Sequence, residues 1–186
     1  TSTLVTVTLN TNSGQDVTVT LTKGGTATDT ADYTLSGTTL TIARHTPSVS
    51  VTLTAAVDAL DEFDETVVID IATVTNGTEN GVQTRTVTIL DNDATPEVSL
   101  SVGTSSIGEN AGTTLVTATL TAVAGRDVTV FLGTSGTATN GDDYTLNTNI
   151  PIPTGSALAS IVLAAKDDTL DETDETVVIE ISTVTN

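Results

Sequence analysis

The segment Asp167–Thr176, "DDTLDETDET", places six carboxylates in ten residues. A near copy, "VDALDEFDET" at Val57–Thr66, places five in the same span. Such a cluster is unfavourable when empty, because like charges a few ångströms apart repel and raise one another's pKa. A hard cation removes that penalty. Ca²⁺ accepts about six to eight oxygens at about 2.3–2.6 Å, whereas Mg²⁺ wants a tighter octahedron and keeps more waters. A site this rich in carboxylates therefore points to Ca²⁺. The competing reading is a solvated acidic face, the usual meaning of a charge run. Two observations weigh against it. The acids concentrate between candidate strands while the strands carry Thr, and the spacing L-D-E-x-D-E-T recurs although neighbouring residues vary.

The elements that must position these acids repeat. "SGQDVTVTL" at Ser13–Leu21 answers "AGRDVTVFL" at Ala124–Leu132, and "GTATDTADYTL" at Gly25–Leu35 answers "GTATNGDDYTL" at Gly136–Leu146. "LDEFDETVVIDIATVTN" at Leu60–Asn76 answers "LDETDETVVIEISTVTN" at Leu170–Asn186, with one residue lost between Leu35 and Ile42. A period near 110 residues is a domain-sized unit. Val5, Val7 and Leu9 alternate with Thr, as do Val17, Val19 and Leu21, and Val87 and Ile89. Period-two alternation turns one set of side chains inward. Gly, Asn and Asp clusters separate the runs, and no segment has helical periodicity. The expected fold class is all-β, two tandem antiparallel sandwiches. The expected boundaries are 1–93, a linker at 94–96 stiffened by Pro96, and 97–186. Thr1 aligns with Gly112 and Asn186 with Asn76, so the first unit is expected to lack its first strand and the second its last. Neighbouring repeats or subunits are the expected source of the missing strands, since open sheet edges are a hazard.

In a sandwich, loops from alternate strand ends gather at one pole. Asp32, Asp91, Asp93, Glu109, Asp142 and Asp143 lie in loops that can join the long acidic segment there. Other acids have plainer expectations. Asp16 and Asp127 read as turn residues, and Asp61, Asp64, Asp171 and Asp174 as outward-pointing and solvated.

Composition narrows the partners. With 24 acidic and 5 basic residues the net charge is −19, which disfavours nucleic acid and anionic membrane surfaces. No apolar run is long enough for membrane insertion. There is no Cys, hence no disulfide or thiolate metal site. There is no Met, so the sequence reads as a processed chain or part of a longer one. High acidity without Cys suits a secreted or cell-surface protein. An enzyme is not expected. His45 is the sole His and answers Gly155 in the repeat, and the crowded acids lack the aromatic subsites a glycosidase would use. Asn76-Gly77-Thr78 matches an N-glycosylation sequon.

"GTATNGDDYTL", "IPIPTGSALASIVLAAKDDTLDETDETVVIEI" and "RTVTILDND" together resemble the Calx-beta domain over nearly the whole chain. The resemblance implies a seven-stranded, immunoglobulin-like sandwich with Ca²⁺ at one pole. It implies Glu109, Asp143, Asp167, Asp168, the Leu170 carbonyl, Glu172 and Glu175 as ligands in the second unit. In the first it implies Asp32, Asp58, the Leu60 carbonyl, Glu62, Glu65, Asp91 and Asp93. Val57 departs from the pattern, standing where the family has Asp, and the first unit has no counterpart of Glu109. Neither ligand set is complete, so fewer ions or weaker binding than in a full member are expected. The functional expectation is an extracellular structural repeat of a stalk, adhesin or filament, stiffened by Ca²⁺. The alternatives are a Ca²⁺-dependent module holding a surface glycan or protein receptor, and an acidic halophilic surface protein without a specific metal site.

Overall fold

The computed structural model describes residues 1–169 and 171–186. The described residues form fourteen strands and no helix, as the alternation predicts. They fall into two compact units, Thr1–Ala59 with Phe63–Asp91, and Leu60–Glu62 with Asn92–Asn186.

The first unit carries β1 (Ser2–Thr8), β2 (Val17–Gly25), β3 (Tyr33–Leu35), β4 (Thr39–Ile42), β5 (Ser48–Ala55), β6 (Glu65–Thr75) and β7 (Arg85–Ile89). They make two antiparallel sheets, ordered β1-β5-β3 and β4-β2-β6-β7. The inward residues of β2, Val17, Val19 and Leu21, join Ile42, Val67 and Ile69 of the same sheet. Tyr33, Val51 and Leu53 close the core from the other sheet. Each such side chain contributes about 1.5–3 kcal/mol by leaving water. The Thr set between them stays outside, where Thr6 and Ser50 share a cross-strand hydroxyl contact of 2.8 Å.

The second unit carries β8 (Val98–Val102), β9 (Thr113–Leu120), β10 (Val128–Gly136), β11 (Tyr144–Leu146), β12 (Asn149–Ile152), β13 (Leu158–Ala165) and β14 (Val177–Thr185). Its sheets run β11-β13-β9-β8 and β12-β10-β14. Val116, Ala118, Val128, Val130, Tyr144, Ile150 and Ile152 form its core. Six strands correspond between the units. Within residues 1–186, β7 is seen in the first unit and β8 in the second.

Two irregularities recur. Both β2·β6 and β10·β14 shift register once, leaving Ala72 and Ser182 as the extra residues. Such a bulge re-phases the strand, so Val74, three residues past Ile71, packs on the core again. The residue lost between repeats falls in a hairpin loop, Ser36–Thr38 in one unit and Asn147–Thr148 in the other. Register is untouched, with Val19 facing Leu40 and Val130 facing Ile150.

The turn acids behave as expected. Asp16 Oδ1 accepts the Arg44 amide and Asp127 Oδ1 the Thr154 amide, each at 2.8 Å. The turns end at His45 (φ 66°) and Gly155 (φ 77°), so His45 is an exposed turn residue that has taken a glycine's conformation. Asp127→Ala is expected to lower stability by about 1 kcal/mol, the net worth of one such bond. A thermal melt would register that as roughly 4–8 °C for a unit of this size.

Candidate metal centre

At one pole of the second unit three loops converge: Gly103–Gly112 between β8 and β9, Thr137–Asp143 between β10 and β11, and the acidic loop between β13 and β14. Each is fixed by backbone geometry.

The first loop closes with the Gly112 amide donating to the Gly108 carbonyl at 3.0 Å. A Cβ on Gly112 would lie 2.2 Å from that oxygen, so only glycine allows the turn. The Gly112 carbonyl in turn accepts the Ala165 amide at 2.9 Å, tying the loop that carries Glu109 to the start of the acidic segment. In the second loop, Tyr144 is buried in the core (3% exposed) and anchors its neighbour Asp143. Asp143 Oδ2 accepts the Thr139 amide at 2.6 Å and its carbonyl accepts the Lys166 amide at 2.9 Å. The far end of the acidic loop is held where β10 meets β14. Gly136 (φ 121°) passes so close that a Cβ would sit 2.1 Å from the Thr176 carbonyl oxygen. That oxygen accepts the Thr137 and Ala138 amides at 3.0 and 3.1 Å.

The result is a set of exposed carboxylates. One oxygen each from Glu109, Asp168 and Glu172 lies within 4.8 Å of the others. Asp143 and Glu175 adjoin them, close enough for their charges to repel. Partial loss of water raises the pKa of Glu172, and repulsion from Asp168, Asp143 and Glu109 raises it further. Glu175 is raised in the same way, by lost water first and then by Asp143, Glu172 and Glu109. The residues sense one another as a single cluster of negative charge. Asp167 is exposed beside it, and Leu170 lies outside the described residues.

The set fits a hard cation. Oxygens bound at about 2.3–2.6 Å lie at most about twice that distance apart, which 4.8 Å satisfies. All the donors are oxygens, the ligand type of Ca²⁺ rather than of softer metals.

The first unit arranges its acids differently. Asp32 repeats the Asp143 geometry, its Oδ2 accepting the Thr28 amide at 2.5 Å and its carbonyl the Ala56 amide at 2.8 Å. Asp58, Glu65 and Asp91 stand in the same unit, whereas Leu60, Glu62 and Asp93 group with the second. Among the described residues, no three acids of the first unit approach as closely as Glu109, Asp168 and Glu172 do.

Two expectations for acids outside the ligand set are corrected. Asp61 does not point outward. It is 4% exposed, pairs with Arg126 Nη2 at 2.5 Å, and accepts from Asn186 Nδ2 at 2.9 Å and Thr95 Oγ1 at 3.3 Å. A carboxylate this far from water requires such partners, and nothing local in the sequence announces them. Asp64 is exposed but not merely solvated, because its Oδ1 accepts the Asp91 amide at 3.0 Å. Sequence reasoning also passed over Lys166. Its ammonium donates to the Gly141 carbonyl, bracing the Asp143 loop, and its place directly before Asp167-Asp168 was the available signal.

Paired sandwiches with an oxygen-rich pole define a class of β-sandwich repeat. The sequence model of the Calx-beta domain matches residues 1–93 and again 91–186, so the chain belongs to the Calx-beta domain family. Among solved structures, the crystal structure of CBD12 from CALX1.2 is 20% identical with a TM-score of 0.45, over 98% of this chain and 74% of that one. The crystal structure of calcium binding domain CBD12 of CALX1.1 is 21% identical with a TM-score of 0.45, over 96% and 73%. No curated protein matches the chain.

Proposed function

We propose that this chain is a Ca²⁺-binding structural repeat, with its ion held at the acidic pole of the second unit. The observation that carries the reading is the convergence of Glu109, Asp168 and Glu172 from two separate loops to within 4.8 Å. Glu109, Asp143, Asp168, Glu172 and Glu175 would hold the ion, and its charge would offset the repulsion that raises Glu172 and Glu175. The chain's own part is positional. Gly112, Gly136 and the buried Tyr144 fix the three loops before any ion arrives. An ion that binds only the folded form stabilises it in proportion to RT ln(1 + [L]/Kd).

In this reading the protein is secreted or displayed on a cell surface as part of a stalk, adhesin or filament. Ca²⁺ stiffens the array, and neighbouring repeats or subunits complete the sheets. The net charge of −19 and the absence of Cys support that setting. Calorimetric titration of the chelator-treated chain tests the reading, with Mg²⁺ as control. Saturable heat from Ca²⁺ but not from Mg²⁺ is expected. Heat that is absent, or equal for both ions, would leave the pole a solvated acidic surface.

A further inference from the structure

Asparagine is followed by glycine at Asn76-Gly77, Asn80-Gly81 and Asn140-Gly141. Asparagine is a thermolabile residue. A following glycine leaves its carboxamide open to the next backbone nitrogen, because no Cβ shields the approach. The pairs sit in different surroundings.

Two of them are held. At Asn140-Gly141 the nitrogen that would attack is occupied, since the Gly141 amide donates to the Tyr144 carbonyl at 2.7 Å. The Asn140 carboxamide donates to the Leu146 carbonyl at 3.3 Å. At Asn76-Gly77 the carboxamide is tethered, with Asn76 Nδ2 donating to the Asp16 carbonyl at 2.8 Å. A Cβ on Gly77 would lie 3.2 Å from Val74 Cγ1 and 3.4 Å from Val17 Cγ1, so the backbone there is packed as well.

Asn80-Gly81 differs on each count. Both residues are exposed in the loop between β6 and β7. Gly81 has φ 68°, and nothing lies within 4 Å of a built Cβ. Among the described residues, neither the Asn80 carboxamide nor the Gly81 amide has a hydrogen-bond partner. The peptide group between them is instead held at its oxygen. Gln83 Nε2 donates to the Asn80 carbonyl at 2.6 Å. Arg85 Nη2 donates to Gln83 Oε1 at 3.3 Å, which fixes the way that amide faces. The Gln83 backbone amide donates to Glu79 Oε1 at 2.9 Å and closes the turn from the other side. A hydrogen bond to the charged form of a group favours that form. When the Gly81 nitrogen loses its proton, the charge spreads onto the Asn80 carbonyl oxygen, where Gln83 already donates.

We propose that Asn80 is a self-modification site, at which the chain converts asparagine to aspartate and isoaspartate through a cyclic imide. The Gly81 nitrogen gives its proton to hydroxide and attacks Cγ of Asn80. The N–Cγ bond forms, the Cγ–Nδ2 bond breaks, and ammonia leaves with a proton from water. Water then opens the imide. Breaking the bond from nitrogen to Cγ leaves aspartate, and breaking the bond from nitrogen to the main-chain carbonyl carbon leaves isoaspartate. Water is consumed, ammonia is released and nothing is oxidised. Each conversion adds a negative charge to the turn that enters β7, and isoaspartate also adds a methylene to the backbone. The converted fraction therefore records the age of the chain.

Incubation of the full chain at mildly alkaline pH tests this, read by peptide mass spectrometry that distinguishes aspartate from isoaspartate. In the folded chain Asn80 should convert at least about fivefold faster than Asn76 or Asn140, each of which must first break a hydrogen bond. In urea the rates should converge. Gln83→Glu keeps the side-chain shape without the donor and should slow Asn80 about fivefold. Arg85 is a positioning residue, so Arg85→Gln should slow Asn80 by a smaller factor in the folded chain and not at all in urea. Equal rates at the three sites of the folded chain, or a Gln83→Glu rate no lower than that of the unaltered chain, overturn the proposal. So does an order of rates that persists in urea, which would assign it to local sequence alone.

Discussion

Gly136→Ala is expected to destabilise the second sandwich by at least about 2 kcal/mol, because two costs coincide. The position has φ 121°, which disfavours any residue with a Cβ. The added carbon would also sit 2.1 Å from the Thr176 carbonyl oxygen, a backbone atom that cannot swing aside. That oxygen holds Thr137 and Ala138, so any relief moves the end of the acidic loop and displaces Glu175. Gly141 is the internal control. It has φ 100° but nothing within 4 Å of a built Cβ, so Gly141→Ala carries the conformational cost alone. Chemical denaturation of both variants separates the terms. A Gly136→Ala midpoint no lower than that of Gly141→Ala would show that β10 and β14 are not held in this close approach.

The metal-free protein is expected to lose stability as pH rises from the acid side, and Ca²⁺ should reverse the loss. Glu172 and Glu175 have pKa values above the ordinary 4.5 in the folded state. The folded chain therefore holds more protons than the unfolded chain in the window that opens at 4.5, and stability falls as pH climbs through the raised values. Below 4.5 both states are protonated at these groups and the repulsion is absent. Ca²⁺ must displace those protons, so its affinity should rise across the same window. Melts from pH 4 to 7, in chelator and in saturating Ca²⁺, should diverge progressively. Glu172→Gln should flatten the chelator curve, because an amide neither titrates nor repels. The same change should weaken Ca²⁺ by at least about tenfold, since even outer-shell losses cost that much. A chelator curve that stays parallel to the Ca²⁺ curve would mean that these carboxylates do not share an ion.

Much of this architecture is legible in the residues because sheet periodicity is local. Val17, Val19 and Leu21 announce β2, and each is buried. Tyr33 and Tyr144, each directly after a candidate ligand Asp, are core anchors for the loops they follow. The repeat locates the hairpins, and the lost residue falls where register cannot feel it. Other features are settled by contacts distant in sequence. Asp61 and Arg126 are 65 residues apart, and no pattern around either marks a buried pair. The two acidic loops look alike in sequence, yet the close triple forms from Glu109, Asp168 and Glu172. One of its members, Glu109, comes from the loop between β8 and β9, far in sequence from the other two. Glycines at 112 and 136 read as ordinary loop punctuation. Only the close backbone approaches show that they set the positions of Glu109 and Glu175.

The near identity of β6 and β14 also sets a problem of folding order. Ten of the twelve residues from Glu65 to Asn76 recur from Glu175 to Asn186, so β7 meets two almost equivalent partners in a chain refolding all at once. Pairing with the wrong one uses a nearly identical strand and costs roughly 2 kcal/mol more in loop closure, so it is a kinetic trap rather than an equilibrium rival. Misassembly between like repeats is a characteristic trap of such chains. Synthesis from the N-terminus removes the ambiguity, because β6 and β7 both emerge before β14 exists. Dilution from denaturant does not, so the refolding yield of the full chain should fall below that of the chain made progressively.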